Sequence, residues 1–259
     1  RSTLFPYTTL FRSMTAIFTI SVPRAISTSR KGVMMSVHIR NFGMTADSKK
    51  VHLYTLESVS GMRVSVTDLG GMLQEVSVPD GKGGFIDVAL GYDGASGYLR
   101  FGGSLGAIVG RNANRIAGAS FDLGGTTHRL TKNDGENNIH SGPHVWRKRL
   151  WDVAEDPKDD PDGGASITFG LVSRDGDQGF PGAADVRATY TLHPDWRLEL
   201  ALEAQVTKTT IVNLTSHAYW NLNGHASGSV LRHSFSLDAD AYTPVGKGLI
   251  PTEIGRAHV

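Results

Sequence analysis

Residues 184–206, ADVRATYTLHPDWRLELALEAQV, show a clear strand pattern. Apolar and polar residues alternate with a period of two on both sides of His193-Pro194-Asp195. This alternation is typical of strands that turn one face to a core and the other towards water. The proline-containing break between the two runs favours a turn. The stretch therefore predicts an antiparallel hairpin with strands at 184–192 and 196–206.

The same kind of pattern recurs along most of the chain. A second hairpin is predicted where residues 121–123 and 126–130 flank Gly124-Gly125. Further runs typical of strands lie at 51–57, 63–68, 85–91, 150–154, 166–172 and 231–238. No stretch of 12 or more residues keeps a helical period, and one helical turn is expected at 95–99. The number of predicted antiparallel strands is larger than a single flat sheet holds. We therefore predict one all-β domain built as a β-sandwich.

Composition narrows the classes of function. Lys and Arg number 26 and Asp and Glu 25, so the net charge of +1 gives no field that would attract nucleic acid or an anionic membrane. The chain has no cysteine, which excludes disulfides, thiolate nucleophiles and cysteine-ligated metals. No apolar run approaches the ~20 residues of a membrane-spanning helix, and no signal peptide is recognisable. We therefore predict a soluble, cytoplasmic protein without nucleic-acid or membrane partners.

Both ends of the chain differ in character from the rest. TLFPYTTLFRS at 3–13 and IGRAHV at 254–259 read like translated sequencing adapters. We expect residues 1–13 and 253–259 to be adapter-like artefacts and residues 14–50 to be an N-terminal segment without a defined start. The domain itself is then predicted at 51–252, with the native sequence stopping near Thr252.

Residues 210–223, TIVNLTSHAYWNLN, contain a row of polar side chains. At period two the apolar face comprises Val212, Leu214, Ser216, Ala218, Trp220 and Leu222. The opposite face comprises Asn213, Thr215, His217, Tyr219 and Asn221. Because histidine titrates near neutral pH, His217 is a candidate acid or base. The alternative is that these side chains satisfy the hydrogen bonds of a loop or a neighbouring strand edge.

A second polar cluster lies in GAIVGRNANRIAG, residues 106–118. Its members, Arg111, Asn112, Asn114 and Arg115, offer fixed donors and acceptors that suit sugar hydroxyls. The alternative is a turn with asparagine at positive φ and arginine paired with nearby carboxylates. A nucleotide-binding loop is disfavoured, because the segment lacks both G-x-G-x-x-G before a helix and G-K-[ST].

His140 lies in a third polar segment, NDGENNIHSG at 133–142. Neither His140 nor His217 has H-x-H, H-E-x-x-H or carboxylate spacing around it, so no metal site is predicted. A lone histidine in a loop is usually just exposed.

Taken together, five blocks resemble the aldose 1-epimerases, the galactose mutarotases. In chain order they are GRNANRIAG, NNIHSGP with WRKRLW at 146–151, DGDQGFPG at 175–182, NLTSHAYWNLNG, and YTPVGKGLIPT at 242–252. The resemblance spans 51–252. It implies a β-sandwich of the galactose mutarotase type, incomplete at the C-terminus. It also implies interconversion of the α and β anomers of aldohexoses such as galactose and glucose, without a metal or redox cofactor.

The resemblance also implies roles for individual residues. His217 corresponds to the general acid that protonates the ring oxygen. Asn114 and Arg115 correspond to sugar-binding residues, and His140 to a second active-site histidine that holds a hydroxyl or the ring oxygen. Tyr219 corresponds to a residue of the binding cleft. In this family a glutamate acts as general base, and its region is expected beyond Thr252, so the base is unassigned and this fragment is expected to be inactive.

Two other functions stay open on the sequence. A non-catalytic carbohydrate-binding module would use the same polar and aromatic residues without needing a base. A hexose-6-phosphate 1-epimerase would need an additional Arg or Lys near the far end of the sugar. Arg147, Lys148 and Arg149 form the only basic run available, and they equally fit a solvated lead-in to a strand.

Overall fold

The structure, a computed structural model, describes residues 9–10, 13–21, 36–159, 163–234, 236, 239–252 and 255–256. Strands dominate this part of the chain. In chain order they are β1 (Thr9–Leu10), β2 (Ser13–Ser21), β3 (Ser36–Met44), β4 (Lys50–Glu57), β5 (Arg63–Thr67), β6 (Met72–Pro79), β7 (Phe85–Asp87), β8 (Ile108–Val109), β9 (Arg115–Ile116), β10 (Ser120–Leu123), β11 (Thr126–Arg129), β12 (Asn138–Ile139), β13 (Asp152–Asp159), β14 (Ala165–Ser173), β15 (Ala184–Leu192), β16 (Arg197–Val206), β17 (Ile211–Val212), β18 (Thr215–Ser216), β19 (Ala241–Tyr242) and β20 (Gly255–Arg256). The helices are α1 (Ala95–Phe101) and the short 3-10 turns Ala117–Ala119, Trp146–Lys148, Asp177–Gly179 and Lys247–Leu249.

Two five-stranded antiparallel sheets form the body of the domain. Their strand orders are β13-β14-β15-β16-β2 and β3-β4-β5-β6-β7. Strands β15 and β16 pair from Ala184 opposite Val206 to Leu192 opposite Leu198, which confirms the hairpin predicted from the period-two pattern. The apolar rows of both sheets share one hydrophobic core. The predicted all-β sandwich is therefore confirmed.

Contacts between the sheets are specific as well as apolar. The ring of Tyr54 on β4 meets Phe169 on β14 edge to face, with centroids 5.5 Å apart. The buried hydroxyl of Tyr190 on β15 donates a 2.7 Å hydrogen bond to the carbonyl of Gly71. Such pairs fix the relative position of two layers that apolar burial alone would leave free to slide.

Helix α1 covers the outer face of the β3-to-β7 sheet. Its buried residues Ala95 and Tyr98 pack against Phe42 and Leu53 in a second core cluster. The helical turn predicted at 95–99 is confirmed and extends to Phe101. No helix in the described ranges is long and apolar enough to cross a membrane.

Some strand predictions differ from the structure. The strand predicted at 231–238 is wrong over 231–234, which form turn and loop, and residues 235, 237 and 238 of that run lie outside the described residues. Strand β3 and all of strand β2 except Ser13 fall in the segment 14–50, and β1 and β20 fall in the two end segments. The boundaries at residues 13, 50 and 252 stay predictions.

Short strands outside the two large sheets assemble the polar segments. β8 pairs with β18, and β9 pairs with β12. A bridge joins Asn112 to Asn213. The three polar segments of the sequence, at 106–118, 133–142 and 210–223, therefore meet although they lie far apart in the chain.

Candidate active site

Three aromatic rings stand next to one another where these short strands meet. The His140 and His217 rings are 5.3 Å apart between centroids and nearly perpendicular, at 80°. On its other side His217 stacks on Tyr219, at 5.1 Å and 27°. Both histidines are half-buried, whereas Tyr219 is 45% exposed. The structure thus brings together His140, His217 and Tyr219, three of the five residues to which the sequence analysis gave roles.

Backbone hydrogen bonds hold His217 in place. Its N–H donates to the carbonyl of Ala107 at 2.8 Å, and its carbonyl accepts from the N–H of Gly106 at 3.0 Å. Position 106 requires glycine, because φ is +69° and a Cβ there would lie 1.9 Å from the carbonyl oxygen of Leu73. The side chain of His217 makes no hydrogen bond or ion pair within the described part of the chain. It is therefore well positioned yet available to a ligand.

His140 is held by a reciprocal pair of hydrogen bonds with Asn114. The His140 N–H donates to the Asn114 carbonyl at 3.0 Å, and the Asn114 N–H donates to Nδ1 of His140 at 3.1 Å. Because Nδ1 is an acceptor, the neutral imidazole carries its proton on Nε2. His140 therefore presents one N–H donor on the side of the ring away from Asn114.

The surroundings of His140 keep it uncharged. Burial lowers the pKa of His140 to about 4, and the positive charges of His217, Arg115 and Arg147 act in the same direction. Asp134 opposes them, as the smallest of these contributions. At neutral pH His140 is thus a neutral hydrogen-bond donor.

Asn114 lies in the bend just before β9, and Arg115 is the first residue of that strand. Arg115 Nε donates to Oδ2 of Asp134 at 2.6 Å, and its Nη1 is 3.4 Å from Oδ1 of Asn114. Asn114 has φ of 65°. Asparagine at positive φ and arginine paired with a carboxylate are what the alternative interpretation predicted, and the same arrangement places both side chains beside His140. Asp134 was missed in the sequence, where it looked like an ordinary turn residue.

Arg111 and Asn112 are not available to a sugar. The Arg111 side chain is buried and donates to the backbone carbonyls of Ser173, Arg174, Pro181 and Gly182 and to the hydroxyl of Ser173. Burial lowers its pKa to about 10, so it stays charged. The sugar-binding interpretation of Arg111 and of the buried Asn112 is therefore wrong. Arg111 instead holds the loop that follows β14.

Ser141 connects two of the polar segments. Its buried hydroxyl accepts from the Asn112 N–H at 2.7 Å and donates to the Asn112 carbonyl at 3.1 Å. His140 and Ser141 both have positive φ, at 53° and 67°. One hydroxyl thus satisfies two buried backbone groups and anchors the strained turn that carries His140. Ser141 was not predicted from the sequence.

The polar row at 210–223 ends earlier than predicted. Asn221 is 1% exposed and donates through Nδ2 to the carbonyl of Gly228, whereas Leu222 is 65% exposed. The predicted assignment of these two residues to faces is therefore wrong. A turn begins here, and the chain leaves the strand geometry that kept alternate residues on one face.

The basic run at 147–149 has three different environments. Arg149 forms a bidentate pair with Asp177, at 2.7 and 2.8 Å. Lys148 is exposed and Arg147 is half-buried. The solvated interpretation therefore fits Lys148 only. In the described ranges, no three His, Asp or Glu side chains lie close enough to hold a metal ion.

Comparison with known proteins places the chain in a family. The aldose 1-epimerase family model matches residues 52–256. The galactose mutarotase of Bos taurus is 38% identical over 220 residues, covering 85% of this chain and 62% of that protein. The aldose 1-epimerase of Escherichia coli (strain K12) is 35% identical over 208 residues, covering 80% of this chain and 58% of that protein.

A solved structure shows the same fold. The galactose 1-epimerase of Lactobacillus acidophilus NCFM has a TM-score of 0.73 at 27% identity, covering 86% of this chain and 63% of that one. This chain therefore spans less than two thirds of the length of these relatives. The resemblance found in the motifs is confirmed by sequence and by fold, and we conclude that the chain belongs to the aldose 1-epimerase family.

Proposed function

We propose that this chain acts in the reversible interconversion of the α and β anomers of an aldohexose, by acid–base ring opening and reclosure. The observation that carries the proposal is the contact between two histidines in different environments. His140 is kept neutral with Nδ1 occupied, and His217 is held beside it with its side chain available. Membership of the aldose 1-epimerase family supports the same reaction class.

In the proposed reaction a base removes the proton of the anomeric hydroxyl while protonated His217 gives a proton to the ring oxygen. The bond between the anomeric carbon and the ring oxygen breaks, and the hydroxyl becomes the carbonyl of the open-chain aldehyde. Rotation about the first carbon–carbon bond and the reverse proton transfers then give the other anomer. The family resemblance predicts that the base is a glutamate. We assign this role to no residue that the structure describes.

The two histidines divide the roles of acid and hydrogen-bond donor. A group with a pKa of about 4 is unprotonated at neutral pH, so His140 is a poor source of the proton. Its Nε2–H still donates a hydrogen bond to a hydroxyl or to the ring oxygen. We therefore assign the acid to His217.

Sugar binding is assigned to Asn114, Arg115 and Tyr219. The pair with Asp134 fixes the Arg115 guanidinium, and within the described residues its Nη2 has no partner and can donate to a hydroxyl. The exposed Tyr219 ring gives a flat surface for the apolar face of a hexose. These contacts form equally in the ground state and the transition state, so they set affinity more than turnover.

The proposal is tested by measuring anomer exchange of galactose and glucose by exchange NMR, in the 259-residue chain and in its His217→Asn variant. We expect catalysed exchange to fall by roughly 10²–10⁴-fold with sugar binding retained. His128→Asn, on the β10–β11 hairpin, is the matched control and keeps the rate. Catalysed exchange by the unmodified chain would show that one of its own residues acts as the base, against the inactivity expected from the sequence. If the unmodified chain binds a hexose but does not catalyse exchange, the proposal is overturned for this chain in favour of a carbohydrate-binding module.

A further inference from the structure

The segment that carries His217 and Tyr219 is anchored by two different parts of the chain. The His217 N–H donates to the Ala107 carbonyl at 2.8 Å, and the Tyr219 carbonyl accepts from the Leu90 N–H at 2.9 Å. These hydrogen bonds fix the backbone positions from which the two rings extend. The contact between the rings therefore starts from a backbone that is already in place.

The rings of His217 and Tyr219 are stacked on each other. Their centroids are 5.1 Å apart and their planes differ by 27°. A cation within about 6 Å of the centroid of an aromatic ring is attracted by the negative face of that ring. A protonated imidazole gains this attraction, whereas a neutral imidazole gains only the weaker interaction between two uncharged rings. The contact therefore favours the protonated form of His217.

The charged groups around this pair do not compete with that effect. His140 faces His217 from the turn after β12, at 5.3 Å between ring centroids. Burial lowers the pKa of His140 to about 4, so at neutral pH it places no positive charge beside His217. The charged groups that act on His140 are Arg115, Arg147 and Asp134. Arg115 and Asp134 pair with each other at 2.6 Å, so their charges compensate.

We propose that Tyr219 is a positioning residue that acts through His217: its ring stabilises the imidazolium and so keeps the proton that the sugar ring oxygen receives. This inference rests on the proposed function and gives Tyr219 a role beyond sugar binding. The ring is 45% exposed, so it can contact a sugar as well as His217. The effect depends on the aromatic face, which phenylalanine shares with tyrosine and leucine lacks.

The test is an NMR titration of the His217 ring from about pH 5 to about pH 9, with the signals assigned through His217→Asn. We expect the titration midpoint to fall by about half to one pH unit in Tyr219→Leu. Tyr219→Phe retains the aromatic face and should keep most of the original midpoint. Tyr242→Leu, which removes another exposed tyrosine on β19, is the matched control and should leave the midpoint unchanged.

An unchanged midpoint in Tyr219→Leu overturns the inference. An equal fall in Tyr219→Phe and Tyr219→Leu overturns it as well, because the effect would then belong to the hydroxyl. In the pH profile of kcat for anomer exchange, the fall in rate at high pH should move to lower pH in Tyr219→Leu, by the same amount as the midpoint. A profile that does not move while the midpoint falls overturns the role of Tyr219 in the reaction.

Anomer exchange by the unmodified chain decides the proposed function separately. Catalysed exchange together with an unchanged midpoint in Tyr219→Leu overturns the inference alone. A lowered midpoint in Tyr219→Leu, without catalysed exchange in the unmodified chain, supports the stabilisation of the imidazolium and overturns the proposed function.

Discussion

Replacing Ser141 by alanine tests whether one buried hydroxyl holds the turn of His140. The Ser141 Oγ is the shared partner of the N–H and the carbonyl of Asn112. Removing it leaves two buried backbone groups unsatisfied, at about 1–3 kcal/mol each. Because a water molecule can enter the space of the lost oxygen, we expect the lower part of the combined range, a loss of about 2–3 kcal/mol in the free energy of unfolding.

Urea unfolding followed by tryptophan fluorescence measures this loss, since Trp146 and Trp151 are buried close by. Ser77→Ala is the matched control. Ser77 is equally buried, but its hydroxyl accepts only a 3.4 Å contact from Arg63, so its loss should cost less than about 1 kcal/mol. Nitrogen NMR of the His140 ring should also show that Nδ1 loses its acceptor role in Ser141→Ala. Equal stabilities of the two variants would refute the reasoning.

Three further predictions follow from the same geometry. Arg115→Ala should raise KM for galactose about tenfold with little change in kcat, measured by exchange NMR, and an effect on kcat alone would contradict its binding role. His140 has a pKa of about 4 in the folded chain against 6.5 for an ordinary histidine, so the unfolded chain binds more protons between these values. The contribution of His140 to the free energy of unfolding is therefore complete above pH 6.5 and is lost as the pH falls towards 4. Urea midpoints measured across this pH range should vary less in His140→Asn than in the unmodified chain. Identical pH profiles of the two midpoints would contradict this. Arg111→Met leaves several buried carbonyls without a donor and should cost about 3 kcal/mol or more by urea unfolding, whereas a loss under 1 kcal/mol would show that other donors replace it.

The sandwich could be predicted from the sequence where a strand has one solvent-exposed face and one buried face. The hairpin of β15 and β16 shows this, because each apolar residue of the row enters the shared core. The run at 231–238 failed because an apolar residue need not be buried: Leu231 is 92% exposed. Alternation of apolar and polar residues indicates the period of a strand, but whether the apolar face is buried depends on which other part of the chain packs against that face.

The site was predictable only as far as local spacing reaches. His217 and Tyr219 are two residues apart on one extended segment, so their stacking follows from the period of a strand. The approach of His140 depends on the pairing of β9 with β12 and on two residues at positive φ. Those features arise from contacts between distant parts of the chain, and neither leaves a period in the sequence. The partnership of Ser141 with a residue 29 positions away is equally invisible there.

The arginines show most clearly why residue type alone did not separate structure from site. Arg111 and Arg115 are four positions apart in one motif, yet Arg111 points into a ring of carbonyls and Arg115 onto a carboxylate at the surface. Arg147 and Arg149 diverge in the same way, because Asp177 pairs only with the second. A guanidinium whose terminal nitrogens donate to backbone carbonyls, as those of Arg111 do, stabilises the fold.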